Sequence, residues 1–444
     1  MNSISDIAAS TIDEHQLFSK IKWRIIPLLM ICLLFAWFDR INIGFVKFDL
    51  QHSFPLSNAA YGLGASLFVC GYILFEVPSN MMLYKVGARR WFARILITWG
   101  LASAAMMFVR SETAFYVLRF IIGAAEAGFT PGIFYYLATW FPAYQRGRVY
   151  GVLYQAVALS GVLGAPLSGL ILAHFDGVGG LPAWNWVFLF GGIPCVFLGV
   201  LVLFRLDDNF EGVKWLSTEE KDRLRLALVE HRPQAQTMQA GSLRRAVCSP
   251  GFQVVALVWF LTQIAAFGMN FWIPHIVRDS GVTNRVVIGL ITAIPYLSGA
   301  VAMLVVGSIA DRFGNRRIVF FSCMIVTSMG FFAAGLFEKS TLSLIVCLAL
   351  IGAGVLTAYT TFWSLPPKVV TGAAAASGIA LINCAGQMGG IVSPVMVGKI
   401  IDVTGSITPA LYLIGCVSGV CALVTFFLFP KVLRLPELRD ERNA

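Results

Sequence analysis

The chain has 444 residues, of which 58% are apolar and 13% charged, and its formal charge is +10. Soluble domains carry about 25% charged residues and cannot bury so much apolar side chain, so most of this surface must face lipid. The apolar runs are ~20 residues long and lack strand alternation, which excludes a β-barrel; a pore of irregular loops is excluded because backbone in lipid must be hydrogen-bonded within the segment.

In chain order, a polar tail (1–23) lacks the basic start, short apolar core and cleavage site of a secretory signal. Spans are then predicted at 24–46, 60–82, 92–110, 114–139, 149–173 and 184–205. A polar segment, 206–251, follows; Trp215 to Lys221 reads as a helix start with a capping Ser or Thr. Six more spans are predicted at 252–277, 286–309, 317–337, 341–364, 372–401 and 409–430, before a C-terminal tail, 431–444. The polar segment divides six spans from six and reads as a linker. The fold class expected is an all-α membrane protein of twelve transmembrane helices in two pseudo-symmetric six-helix bundles. The nine cysteines lie mostly within spans, with no CxxC pair and no metal-like Cys/His spacing, so neither a disulfide framework nor a metal site is expected.

Orientation follows from the basic residues. Of 33 Lys and Arg, 24 fall on the side carrying the termini and linker. Six fall on the other: Lys47, Arg110, Arg278, Arg285, Lys339 and Lys399. This asymmetry places both termini in the cytoplasm. The charge is explained by orientation, and no basic arm interleaved with aromatics points to nucleic acid.

An internal repeat supports the two halves. Gly307-Ser-Ile-Ala-Asp311-Arg312-Phe-Gly314-Asn-Arg316-Arg317 follows the eighth span, and Asn80-Met-Met-Leu-Tyr84-Lys85-Val-Gly87-Ala-Arg89-Arg90 follows the second, 227 residues earlier. The repeated loop resembles that of the major facilitator superfamily, whose GxxxDRxGxRR pattern the second copy keeps; the first has Asn80 and Tyr84 in place of its Gly and Asp. Further segments resemble the anion:cation symporter family within it: Asp39-Arg40-Ile-Asn42-Ile-Gly44, Phe75-Glu76-Val-Pro78-Ser-Asn80, Gly87-Ala-Arg89-Arg90-Trp91, Leu118-Arg119 through Glu126-Ala-Gly128, Phe362-Trp363-Ser-Leu-Pro366-Pro367, and Ile382-Asn383. The resemblance implies a bacterial carrier of tartrate, phthalate, hydroxyphenylacetate or nicotinate type, and leaves the choice among these open. It also implies proton sites at Asp39 and Glu126, substrate contact at Arg40, and a central cavity faced by Tyr72, Trp363 and Asn383.

Six ionisable residues lie within spans: Asp39, Arg40, Glu76, Arg94, Arg119 and Glu126. A charge at mid-bilayer costs at least ~2.5–3.5 kcal/mol, so such residues line a cavity, pair or act. Asp39 lies ~22 Å along the first span at the helical rise, which leaves ~8 Å of a ~30 Å core. Arg119 enters the fourth span to a similar depth, so Asp39, Arg40 and Arg119 are predicted to share a level. Glu126 is predicted on the face of Arg119, two turns deeper. Arginine offers planar bidentate donors to a carboxylate, and a carboxyl group can trade a proton for a lost partner. Asp39 and Glu126 are therefore the expected proton-coupling pair, with Arg40 and Arg119 the anion site. Asn42, one turn after Asp39, is placed to orient it. The competing reading of these charges is a set of buried ion pairs holding helices together. Glu76 and Arg94, near cytoplasmic ends, are expected to serve the gate with Asp311, Arg312, Arg89 and Arg90.

His275 is read as a solvated interfacial residue. Gly128-Phe-Thr-Pro-Gly132 and Gly161 to Gly169 read as small-residue stripes for close helix approach; the second also resembles a motif of drug exporters. The function expected is proton-coupled uptake of a small organic anion across the inner membrane by a monomer, with protons as coupling ion and no other cofactor. An exporter or exchanger on the same fold is the alternative. A transporter-like sensor is disfavoured without an attached signalling domain. An enzyme is disfavoured because no nucleophile–base set, phosphate loop or metal cluster stands out.

Overall fold

The computed structural model describes residues 13–230, 247–313, 315–366 and 375–440. Every regular element among them is helical. Six spans form the first half: α1 (Glu14–Ser53), α2 (Asn58–Val86), α3 (Ala88–Ala105), α4 with α5 (Glu112–Glu126 and Phe129–Ala138, one span in two pieces), α6 (Ala143–His174) and α7 (Ala183–Arg205). A linker helix, α8 (Thr218–Glu230), follows. Six more spans complete the chain: α9 (Pro250–Asp279), α10 (Arg285–Phe313), α11 (Arg316–Leu336), α12 (Thr341–Phe362), α13 (Ala375–Thr404) and α14 (Thr408–Asp440). Each of the twelve predicted spans has its helix, most extended by a few residues at one end or both.

Starts are set by local chemistry. The Ser57 hydroxyl accepts from the Ala60 N–H, and Ser249 accepts from Phe252 just ahead of Pro250. The predicted cap of the linker helix is a reciprocal box: Ser217 Oγ accepts from the Glu220 N–H, and Glu220 accepts from the Ser217 N–H. That helix is tied to the first half by Lys20–Glu220 and Glu14–Arg223 ion pairs, and Trp215 stacks on Trp140 at 5.8 Å. Large apolar side chains such as Phe197, Phe204 and Leu342 are exposed. Water would penalise them; lipid does not.

The halves meet along α1 with α9, α2 with α13, and α6 with α10. Helices in lipid associate by close packing, which demands small residues. A Cβ at Gly62 would lie 2.3 Å from the Pro394 carbonyl oxygen. Gly62→Ala must therefore part α2 from α13, and a lowered melting temperature in detergent is expected. Gly151, with nothing within 4 Å of its would-be Cβ, is the control. Equal melting of Gly62→Ala, Gly151→Ala and the native chain would contradict this packing. The predicted Gly161–Gly169 stripe behaves as read: Gly161 faces the Tyr296 ring, Gly164 the Phe38 ring and Gly169 the Arg285 backbone.

Polar bonds between the halves cluster, among the described residues, at the end away from the termini. Asp402 accepts from Asn58 and the Ala59 N–H at 2.7–3.0 Å. Arg285 pairs with Asp49 at 2.7 Å and donates to the Leu172 carbonyl. Lys47 lies 3.2 Å from His275. The molecule is thus held shut at that end.

Candidate functional site

Three helices build the site. On α2, Phe68, Tyr72 and Glu76 recur every four residues and form one stripe. On α4, Arg119 and Glu126 face that stripe; Gly123 between them lets the helices touch, since a Cβ there would lie 1.9 Å from the Phe68 carbonyl oxygen. On α1, Asp39 and Arg40 are neighbours, so they project about 100° apart and find different partners.

Arg40 reaches Glu126. Its Nε and Nη2 donate to Glu126 Oε1 at 2.9 and 2.5 Å. The guanidinium also lies 4.9–5.2 Å from the ring centroids of Trp37, Phe68 and Tyr72, an aromatic cage that holds a cation without neutralising it. Glu126 Oε2 is buried without a hydrogen-bond partner. Asp39 turns to α3, accepting from Ser103 Oγ at 2.5 Å and from Trp99 Nε1 at 3.2 Å. Arg119 is 1% exposed, lies 4.8 Å over Phe68 and makes one long bond, 3.4 Å, to the Gly64 carbonyl. Its Nη2 has no partner, and among the described residues no carboxylate lies within ion-pair distance of it.

The predicted arrangement changes in two respects. A direct Arg40–Glu126 pair, which the depth reading did not foresee, forms because a long arginine side chain can span an axial offset between two backbones. The fourth span is also not one helix. Ala127 is extended, Gly128 has φ 81°, and α5 begins at Phe129. A left-handed residue with its would-be Cβ 2.6 Å from Ser79 Oγ has to be glycine here. The stretch read as a packing stripe is one, with Gly128 against Ser79 and Gly132 against Leu83, and it is also a helix break that ends α4 at Glu126. The partial negative charge of that helix end favours the Arg40 guanidinium.

The remaining predicted residues are distributed around this centre. Asn42 is fully buried, but it accepts from Ser168 Oγ at 2.8 Å rather than orienting Asp39. Asn383 Nδ2 lies 3.5 Å from Glu76 Oε1, so a residue assigned to substrate meets one assigned to the gate across the two halves. Trp363 packs edge-on to Trp259 at 5.1 Å, with its Nε1 unpartnered. Arg94 covers the Trp91 ring at 3.9 Å. The Arg89 N–H donates to Asp208 at 2.8 Å, and Arg90 is exposed. The side chains of Asp311 and Arg312 lie outside the described residues.

Between the halves is a cavity of about 30 Å³ lined by Trp37 and Tyr154 on one side and Asn270, Tyr359 and Thr360 on the other. That volume admits a water, whereas ligand sites run to about 300–1,000 Å³. A guest of that size does not fit this cavity as it stands. The Tyr359 hydroxyl donates to Gln263, which in turn donates to Gln387 at 3.3 Å. Sequence reasoning missed this polar chain, as it missed Trp37, Trp99 and Ser103. Trp37 alone carried a signal, one helical turn before Arg40.

The sequence pattern of the Major Facilitator Superfamily matches residues 29–394 and, a second time, 256–444. The chain belongs to this superfamily. Relatives agree along almost its whole length. It is 42% identical to the Pseudomonas putida protein named "Putative metabolite transport protein NicT", over 92% of this chain and 93% of that one. It is 39% identical to a "Putative tartrate transporter" of Agrobacterium vitis, over 94% and 92%. A quinolone resistance transporter of Acinetobacter baumannii is 34% identical, over 95% and 96%. The major facilitator fold is shared with a solved D-xylose-proton symporter at TM-score 0.73 and 15% identity, over 92% of this chain and 98% of that one.

Proposed function

We propose that this major facilitator transporter takes up a small organic carboxylate with protons across the bacterial inner membrane, its termini in the cytoplasm, working as a monomer. The observation that carries the reading is the Arg40–Glu126 pair inside its aromatic cage. A guanidinium so placed stays charged and offers two parallel donors to a carboxylate. When substrate takes Arg40, Glu126 loses its counter-ion in a buried place and takes a proton instead. Anion and proton then bind together, which is the requirement of symport. Arg119, buried without a paired carboxylate, supplies a second cation to the same anion, and Asp39 is the second proton carrier. The relative named for tartrate supports the substrate class. The halves rock about the central cavity to give alternating access.

Right-side-out vesicles test this after a thermal-shift screen of purified protein has picked a labelled organic acid. Uptake is expected to rise as external pH falls from about 8 to 6 and to collapse with a protonophore. Uptake indifferent to the uncoupler would sink proton coupling. The relative named for quinolone resistance favours a second reading, proton-driven export; extrusion driven by the same gradient, with no uptake, would establish it instead.

A further inference from the structure

At the end away from the termini lies a second cluster of ionisable groups that the central site does not use. Lys47 on α1 is fully buried and His275 on α9 is 7% exposed. Both differ from the sequence reading, which placed Lys47 among the loop charges of that side and His275 in solvent. Helix α1 continues to Ser53, and α9 covers its last turns. Lys47 Nζ lies 3.2 Å from His275 Nδ1, and His275 Nε2 lies 3.2 Å from Asp279 Oδ2. A charged Lys47 can only donate; Nδ1 then accepts, and a neutral ring carries its proton on Nε2, directed at Asp279. Trp272 of the second half lies under the ammonium at 4.3 Å, and Phe48 of the first stacks on the imidazole at 5.1 Å. The chain from ammonium to imidazole to carboxylate thus crosses between the halves.

We propose that Lys47, His275 and Asp279 form a second proton-binding site, a latch that holds this end closed while His275 is neutral and releases it when His275 gains a proton. A protonated ring has no lone pair for Lys47, and it would set two cations 3.2 Å apart in a buried place. Parting the halves hydrates both. Other charges act on the same groups. Arg278 adds to the repulsion on both groups; Asp279 and Asp402 attract the Lys47 ammonium, and Glu338 repels Asp279. Asp279, with its side chain 42% exposed, gives the ring a route to solvent protons.

The latch rests on the alternating-access reading, and its test needs no substrate. Spin labels at Val178 and Lys339, exposed on the two halves at this end, report their separation in a cysteine-free background in nanodiscs. Between pH 8 and about 5.5 the ratio of the long-distance to the short-distance population is expected to rise, by up to about tenfold per pH unit for one linked proton. His275→Asn keeps an acceptor for Lys47 and cannot be protonated, so it should stay closed throughout. Asp279→Asn, at the exposed edge, should keep the amplitude and move the midpoint to lower pH. A His275→Asn chain that opens with acid as the native chain does overturns the latch. So does an unmoved midpoint in Asp279→Asn, which decides the matter if His275→Asn does not fold. A single population at every pH overturns both the latch and alternating access. A latch that responds in a carrier whose uptake ignores protonophores overturns symport alone.

Discussion

Replacing Arg40 by alanine is expected to abolish substrate binding. A charge-assisted hydrogen bond is worth about 1.5–3 kcal/mol, so losing a bidentate contact raises Kd by at least about a hundredfold. The same change leaves Glu126, whose side chain is 1% exposed, without its counter-ion. Breaking a buried pair from one side costs about 3–5 kcal/mol, so a lower melting temperature accompanies the loss. The double variant Arg40→Ala/Glu126→Gln separates the two effects. It removes both charges, so it should recover much of the stability and none of the binding. Arg40→Lys should recover binding in part, since an ammonium keeps the charge within the cage of Trp37, Phe68 and Tyr72 but lacks the planar fork. Calorimetric titration of purified protein with the screened acid at about pH 6 checks all three. Native affinity in Arg40→Ala would remove Arg40 from the substrate site.

The twelve spans were legible because lipid imposes a length and a composition, and both are properties of the chain read locally. Arg40 and Glu126 were legible as functional candidates for the same reason: charges in apolar runs are costly wherever they point. Their pairing was not. Depth arithmetic places Cα atoms along an axis, whereas the contact depends on helix rotation and on the reach of the arginine. Adjacent residues point apart, so Asp39 went to Ser103 and Trp99 on α3 while Arg40 crossed to α4. Gly128 serves both a close approach, to Ser79, and a positive φ, and only the first was legible without the backbone. Lys47 was misread because the first span was ended one residue before it, and His275 because it lies near the outer end of its span. Burial of the Lys47 charge by α9 is a tertiary fact with no local trace. The linker cap, by contrast, was read correctly, since Ser217 and Glu220 satisfy each other within four residues.

Glu126→Gln should separate exchange from accumulation. Glutamine has the shape of the protonated acid and carries no charge, so the ion pair with Arg40 is replaced by at most a neutral hydrogen bond. Arg40 is then held by its three rings and remains available to a carboxylate at all pH values, so binding should lose its pH dependence or tighten at high pH. The loaded carrier can still present the anion to either side, and counterflow of labelled substrate in proteoliposomes should persist. Resetting fails for a specific reason. On the coupling proposed above, the native protein with its site empty neutralises Arg40 by releasing the Glu126 proton, and the two close on each other as they do here. The glutamine variant returns empty only with an uncompensated, largely buried guanidinium, a costly state. Net uptake driven by a pH gradient should therefore fall to the level of liposomes without protein, while exchange stays within a few-fold of native. If Glu126→Gln accumulates substrate like the native chain, Glu126 is a structural partner of Arg40 and Asp39 carries the proton alone. If counterflow disappears too, Glu126 shapes the site or the break at Gly128, and the coupling assigned to it is wrong.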